Sequence, residues 1–229
     1  MKNKKIYLKI LFLLFFFLQF NYVLSAELEF KATTIETLNN GSLVKGSGGV
    51  EINDNTELKL TGEELKYNKL SGLLNVKGDV LIEDKFNKNL IRSEKINFNR
   101  QLNIINIPGK TIVELDGGYL IESSNITHDR NTGLFFSKNK TIVTDIYENI
   151  FYMDNFNYSI VDKILKAENV EITDIKKNIY KVNNISYNLK TNEITGKDLS
   201  LNFNSENKSL GQNEPCLLYT SDAADDSLR

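Results

Sequence analysis

The sequence predicts an all-β chain built from stacked pairs of strands, each pair about 30 residues long. Three observations carry this reading. Apolar residues recur at every second position, as in a strand with one buried face. The pattern returns with a fixed period, and turn-forming residues fall at one phase of the repeat.

Six copies lie in register between residues 28 and 205. Their marker position is Thr37, Tyr67, Phe98, His128, Tyr158 and Tyr187, spaced 30, 31, 30, 30 and 29 residues apart. Two residues before each marker stands an apolar side chain: Ile35, Leu65, Ile96, Ile126, Phe156 and Ile185. The first copy goes on through Val44 to Val50 and Ile52, with Gly46, Ser47, Gly48 and Gly49 between them. The second runs Leu58-Lys59-Leu60 and Leu65-Lys66-Tyr67, turns at Ser71-Gly72, and continues as Leu74-Asn75-Val76 and Val80-Leu81-Ile82. The third turns at Arg100-Gln101 before Ile105, Ile107, Thr111 and Val113, and the fourth at Asn131-Thr132-Gly133 before Phe135, Thr141 and Val143. In the fifth, Asp162-Lys163 precedes Leu165, Val170 and Ile172; in the sixth, Thr191-Asn192 precedes Leu199 and Leu201. Each copy is therefore two strands around a turn. No stretch carries a 3.6-residue period, and the β-branched and aromatic content agrees with strands.

A strand pair of this length cannot bury its own apolar face, so successive pairs must stack into one elongated, twisted body. The inward set mixes Tyr67, Phe98, Phe135, Phe156, Tyr158 and Tyr187 with the small residues Ser137, Ala167 and Gly196. Two readings stay open. The aromatics fill a closed core, or the apolar faces line a groove that accepts something greasy.

Both ends of the 229-residue chain differ from this pattern. Lys2, Lys4 and Lys5, an apolar run from Ile10 to Leu18 and the small-residue stretch Val23-Leu24-Ser25-Ala26 have the layout of a secretory signal peptide over residues 1–26, cleaved after Ser25 or Ala26. The run is too short for a membrane anchor, which needs about 20 apolar residues. At the other end, residues 214–229 lose the alternation and hold the only Cys, Cys216. The string CLLYTSDAADD resembles translated sequencing adapter, and this tail is expected to be unstructured. Residues 27–213 remain as the domain, with no Cys and so no internal disulfide. Nucleic acid is a disfavoured partner: 28 basic residues oppose 30 acidic ones, and loss of the four leader lysines leaves 24 against 30, a net charge of -6.

An apolar-x-Tyr-Asn strand, a turn, then Gly-Asp/Asn-Val-x-Ile, best seen in LKYNKLSGLLNVKGDVLIED (65–84) and ISYNLKTNEITGKDLSLNF (185–203), resembles the OstA-like family of lipopolysaccharide transport proteins. The second match has Leu199 and Leu201 in place of Val and Ile. The resemblance spans nearly all of residues 28–205, and its specificity lies in the recurring register. It implies an elongated, V-shaped β-jellyroll, open along one side, whose apolar interior carries lipid A acyl chains across the periplasm. The groove residues it implies are Leu65, Tyr67, Leu74, Val76, Val80, Ile82, Ile96, Phe98, Ile105 and Ile107, continuing through Val113, Ile126, Phe135, Phe156, Tyr158, Leu165, Val170, Ile172, Ile185 and Tyr187. Two kinds of member fit: the soluble periplasmic bridge, and the amino-terminal domain of the outer-membrane assembly protein. The second is favoured because the chain reads as broken off near Asn213-Glu214-Pro215. The implied partners are lipopolysaccharide, a related periplasmic jellyroll joined by strand addition and, for a full-length barrel, an outer-membrane lipoprotein. The expected docking edge is the strand of Val44, Val50 and Ile52, lightly guarded by its glycines.

Catalytic chemistry is sparse. An exported β-helix enzyme acting on polysaccharide would need paired carboxylates or a base at a cleft. Glu63-Glu64, Asp116 and Asp145 all fall beside turns or strand ends, where a solvated charge is the default. His128 occupies an aromatic marker slot and reads as a packing substitution. A single His without a partner Cys gives no zinc-binding pattern, and no Gly-rich phosphate loop opens a helix, so no cofactor is expected.

Overall fold

A computed structural model describes residues 28–54 and 58–202. The leader peptide and the tail lie outside the described residues. The chain is all-β, with its strands in one antiparallel sheet. In order they are β1 (Glu29–Leu38), β2 (Leu43–Asn53), β3 (Leu58–Asn68), β4 (Leu73–Asp84), β5 (Asn89–Asn99), β6 (Ile104–Glu114) and β7 (Leu120–Asp129). There follow β8 (Leu134–Ser137), β9 (Thr141–Thr144), β10 (Ile150–Ser159), β11 (Ile164–Thr173), β12 (Ile179–Asn188), β13 (Glu193–Lys197) and β14 (Ser200–Asn202). Each row pairs with the next, so the sheet is a simple meander. The short strands β8 and β9 share one row between β7 and β10, and β13 and β14 share the row beside β12.

Most of the long strands are interrupted near their middle. The register between β3 and β4 shifts between Thr61 and Glu64, and similar shifts lie between Ser47 and Val50 of β2, Lys77 and Val80 of β4, and Ile107 and Lys110 of β6. The cause is left-handed backbone inside the strands: Gly48, Gly49, Gly78, Asp79, Gly109, Asn125, Asn155 and Asn169 all have φ between 44° and 83°. Only Gly, and Asn or Asp among the others, adopt this conformation readily, and it inserts the extra residue of a bulge. At Gly78 a side chain would also collide with Glu63, whose Cβ lies 2.7 Å from the position a Cβ would take. In the β8/β9 and β13/β14 rows the bulge has widened into a full break. The bulges align from row to row as a crease, and the sheet folds along it into two walls.

The crease explains a phase flip in the apolar pattern. In β3 the buried residues are Leu58 and Leu60, then Leu65 and Tyr67, an odd step of five across exposed Glu63 and Glu64. Both halves of the strand thereby point their apolar residues to the inside of the fold. This is the jellyroll-like arrangement of repeated strand pairs that the sequence predicts. The sheet does not close on itself: among the described residues β1 and the β13/β14 row each have one sheet neighbour.

Candidate functional site

Two unbroken rungs of cross-strand partners line the interior. On the first wall, Thr37 of β1 faces Val44, and the rung continues through Tyr67, Leu74, Phe98, Ile105, His128, Phe135, Tyr158, Leu165, Tyr187 and Ile194. All six sequence markers fall on it. On the second wall the rung is Phe30, Ile52, Leu60, Ile82, Ile91 and Val113, then Ile121, Val143, Phe151, Ile172, Tyr180 and Leu201. The side chains are buried from Val44 to Tyr187 on the first rung and from Ile52 to Tyr180 on the second, so two largely apolar tracks run from β2 to β12.

All of the twenty interior residues named from the sequence, from Leu65 to Tyr187, are buried in one continuous hydrophobic cluster. The cluster also takes in Ile91, Tyr119, Ile121, Phe151, Met153, Tyr180 and Val182, which the sequence reading passed over. Their signal was present as ordinary alternation, in Phe151-x-Met153 and Tyr180-x-Val182, but at a phase between the two sets that define the repeat. The walls meet face to face where Phe30 approaches Tyr67 with ring centroids 5.5 Å apart, and where Phe151 stacks on Tyr187 at 5.4 Å. The first copy behaves differently. Ile35 and Leu38 are exposed, because among the described residues β1 has no row beyond it to cover them.

The docking edge requires a correction. Val44, Val50 and Ile52 lie on β2, which is paired with β1 on one side and β3 on the other, and all three are buried. The segment Glu29–Leu38 itself pairs residue for residue with β2 apart from one bulge, so among the described residues the edge lies one strand earlier, on β1.

Opposite the crease, the hairpin turns form two rims, and polar side chains bridge them. The Arg130 guanidinium, on the turn after β7, reaches the Asp54 carboxylate on the far rim at 3.3 Å; the side chains are 16% and 6% exposed. The same guanidinium donates to Asn103 Oδ1 at 3.2 Å and lies over the Phe98 ring. Further along, Tyr119 donates its hydroxyl to Asn192 Oδ1 at 2.9 Å, and the Asn192 amide donates to the Tyr147 hydroxyl at 3.2 Å. The partners in these bridges are far apart in sequence, and the repeat pattern alone gave no sign of them.

Apart from the Arg130–Asp54 bridge, the ion pairs lie on the outer face. Lys31 and Lys59 both bind Glu51, and together with Asn53 they pull its carboxyl down to about 2, the bond from Lys31 contributing most. Lys77 with Glu64 and Lys181 with Glu171 are similar outward pairs. Glu63, Glu64 and Asp116 are exposed, as read from the sequence. Asp145 is not solvated. It is buried in the turn between β9 and β10, accepting the amides of Tyr147 and Asn149 at 2.9 Å and the Asn149 side chain at 2.8 Å. Its two oxygens are occupied in holding a turn, a role repeated by Asp174 with Asn178.

His128 packs as an aromatic. Its ring stacks on Phe135 at 4.0 Å, it is buried, and its Nδ1 has no hydrogen-bond partner. Desolvation, helped by the Arg130 charge, pushes its pKa down to about 4. Tyr158 and Tyr187 on the same rung are pushed upward by burial, and the Tyr158 hydroxyl is likewise unpartnered. Among the described residues the interior offers mainly apolar surface. A scan against protein-family models finds no match to this chain, and a search of curated proteins finds none either.

Proposed function

We propose that this chain is an exported, non-enzymatic carrier of lipopolysaccharide, a member of the OstA-like group whose register it resembles. In this reading it holds lipid A acyl chains between its two walls on the way to the outer membrane. The observation that carries the reading is the pair of apolar tracks, buried from β2 to β12 in a sheet that is joined along the crease and, among the described residues, bridged at its mouth by side chains. Acyl chains would part the walls from the mouth, with the crease as hinge, and replace wall-to-wall contacts with contacts of the same kind. Shielding from water supplies about 0.8 kcal/mol per CH₂, while the sugar-phosphate head stays outside the mouth. Because one row offers nearly the same surface as the next, displacement along the track is close to isoenergetic, and direction comes from an energy source outside this chain. The site of action is the periplasm, with an outer-membrane barrel and its lipoprotein partner if the chain is the front of an assembly protein.

The test is photo-crosslinking in cells that produce the full chain. A benzophenone amino acid at Phe98, Phe156 or Tyr158, all buried in the interior, should capture lipopolysaccharide, and at the outward neighbours Asn97, Asn157 or Ser159 it should capture little. Equal labelling of both faces would sink the carrier reading. Cleavage of polysaccharide by the purified chain would favour an enzyme instead.

In the same reading a related periplasmic jellyroll adds its terminal strand to β1, whose outer backbone edge has no partner among the described residues and lies beside exposed Ile35. An inward-pointing charge on an edge strand opposes such pairing. Ile35→Lys should therefore abolish capture of the partner while leaving the denaturation midpoint near that of the wild type. Unchanged capture would put the junction at the β13/β14 row.

A further inference from the structure

The outer faces of the two walls differ in kind. On the first wall the outward rung is polar where Asn75, Asn97, Asn106 and Thr127 pair across four successive rows, as expected of an antiparallel sheet with one solvated face. On the second wall every row from β4 to β10 adds one outward aliphatic side chain: Leu81, Leu90, Ile112, Leu120, Ile142 and Ile150. All six are half-buried, although among the described residues no element lies over this face.

Strand pairing places these residues alternately on two outward rungs. The first runs Leu81, Arg92, Ile112, Glu122, Ile142 and Tyr152, and the second runs Glu83, Leu90, Glu114, Leu120, Thr144 and Ile150. Successive aliphatics are therefore diagonal neighbours, about 7–8 Å apart. They form one zigzag apolar stripe across six rows, and Tyr152 at its end is 45% exposed. A contiguous stripe of this kind marks a contact surface, unlike apolar residues scattered singly.

The charges set into the stripe select what covers it. Glu83, Glu114 and Glu122 stand against Arg92 alone, which opposes an anionic lipid surface. Around Ile112 the first rung is symmetric in size and inverted in sign. Arg92 flanks Ile112 on one side and Glu122 on the other, with Leu81 and Ile142 beyond them. A two-fold axis along β6 would set Ile112 against the partner's Ile112, Arg92 against the partner's Glu122 and Leu81 against the partner's Ile142. On the second rung it would set Leu90 against the partner's Leu120. The Arg92 and Glu122 side chains are 49% and 38% exposed, so both can turn to a second copy. Glu114 would meet its own counterpart on the axis, each carboxylate held by Arg92 of its own chain at 3.3 Å. One patch complementary to itself is what an isologous contact requires.

We infer that the outer face of the second wall is a self-association surface, joining two copies of this chain back to back about a two-fold axis along β6. The interior of each copy is untouched, so the contact stands apart from lipid carriage and from strand addition at β1. Six rows at about 4.8 Å make the stripe about 24 Å long. Two copies laid across it bury less than the roughly 800 Å² per partner of a standard interface, so the dimer is transient.

The test is sedimentation equilibrium of the full chain from micromolar to millimolar concentration, where the wild type should pass from monomer to dimer. Ile112→Lys brings two ammonium groups together on the axis and should weaken the dimer at least about tenfold. Asn106→Lys on the first wall and Ile35→Lys at the β1 edge should leave it within about twofold. Arg92→Glu and Glu122→Arg each put like charges at both contacts and should also weaken it about tenfold. An equimolar mixture of these two variants should recover wild-type affinity, since both contacts of the mixed pair then join opposite charges. This recovery also shows that the single variants are folded. A wild type that stays monomeric would overturn the proposal, and so would a dimer that survives Ile112→Lys or a mixture that fails to recover. Loss of the dimer in Ile35→Lys would overturn it in favour of strand addition. A monomeric wild type that binds phosphatidylglycerol vesicles, and releases them on Ile112→Lys, would overturn it in favour of a membrane contact.

Discussion

Phe135→Ala is expected to cost about 3–5 kcal/mol of folding stability, whereas Phe136→Ala, one residue along the same strand, should cost less than about 1 kcal/mol. Phe135 is fully buried at the centre of the first-wall rung. His128 pairs with it on one side and Tyr158 on the other, and the His128 ring stacks on it at 4.0 Å. Truncation leaves a void among rigid aromatic neighbours that cannot collapse to fill it, so the cavity term adds to the lost transfer energy. Phe136 points the other way and is 38% exposed. Urea denaturation of the two variants against the wild type measures the difference directly. Equal losses would mean that the β8 row does not alternate between a buried and an exposed face.

Acidification should destabilise the chain through His128, and His128→Phe should remove that component. The imidazole titrates near 6.5 when solvated, but burial and the Arg130 charge hold it near 4 in the fold, against the weaker opposing pull of Asp84 and Asp129. Between these values the unfolded chain binds a proton that the folded chain refuses. Stability attributable to this group is therefore intact above about pH 7 and falls as pH drops through 6.5 towards 4. The separation corresponds to about 3 kcal/mol in full. Denaturation midpoints at neutral pH and near pH 4.5 should show the wild type losing about 2–3 kcal/mol more than His128→Phe across that range. At neutral pH the variant should match the wild type or exceed it, because phenylalanine keeps the stacking surface and removes a buried nitrogen that lacks a partner. Parallel pH profiles for the two proteins would mean that the ring is hydrated and titrates normally.

The strands, the repeat and the rung markers were legible because each depends on local alternation. Tyr67, Phe98, Tyr158 and Tyr187 fall one per copy in the same slot, and a strand that buries one face has no other way to arrange them. The crease was less legible, although its traces are in the chain. Gly78-Asp79 and Asn169 interrupt strand segments, and adjacent polar pairs such as Glu63-Glu64 reverse the phase from Leu60 to Leu65. Reading these as bulges requires knowing that both halves of a strand must face one interior. The edge was misassigned to β2 because the weak alternation of Lys31, Ala32, Thr33 and Thr34 hides a strand that pairing alone makes visible. Asp54 and Arg130 are 76 residues apart, and no spacing rule connects them. Only the twist of the folded sheet brings one rim turn to the other.

That separation also orders the assembly of the molecule in time. Each row finds its partner in the adjacent hairpin, so ordering a new strand closes only a short loop and can proceed outward from whichever hairpin forms first. The rim bridges span 45, 73 and 76 residues, and their loop-closure entropy is repaid only after the intervening rows are in place. In a chain emerging amino terminus first, Asp54 waits for Arg130, and Tyr119 waits for Asn192. Zippering along the sheet thus precedes fastening of the mouth, and the last contacts to form hold the two walls together rather than build either one.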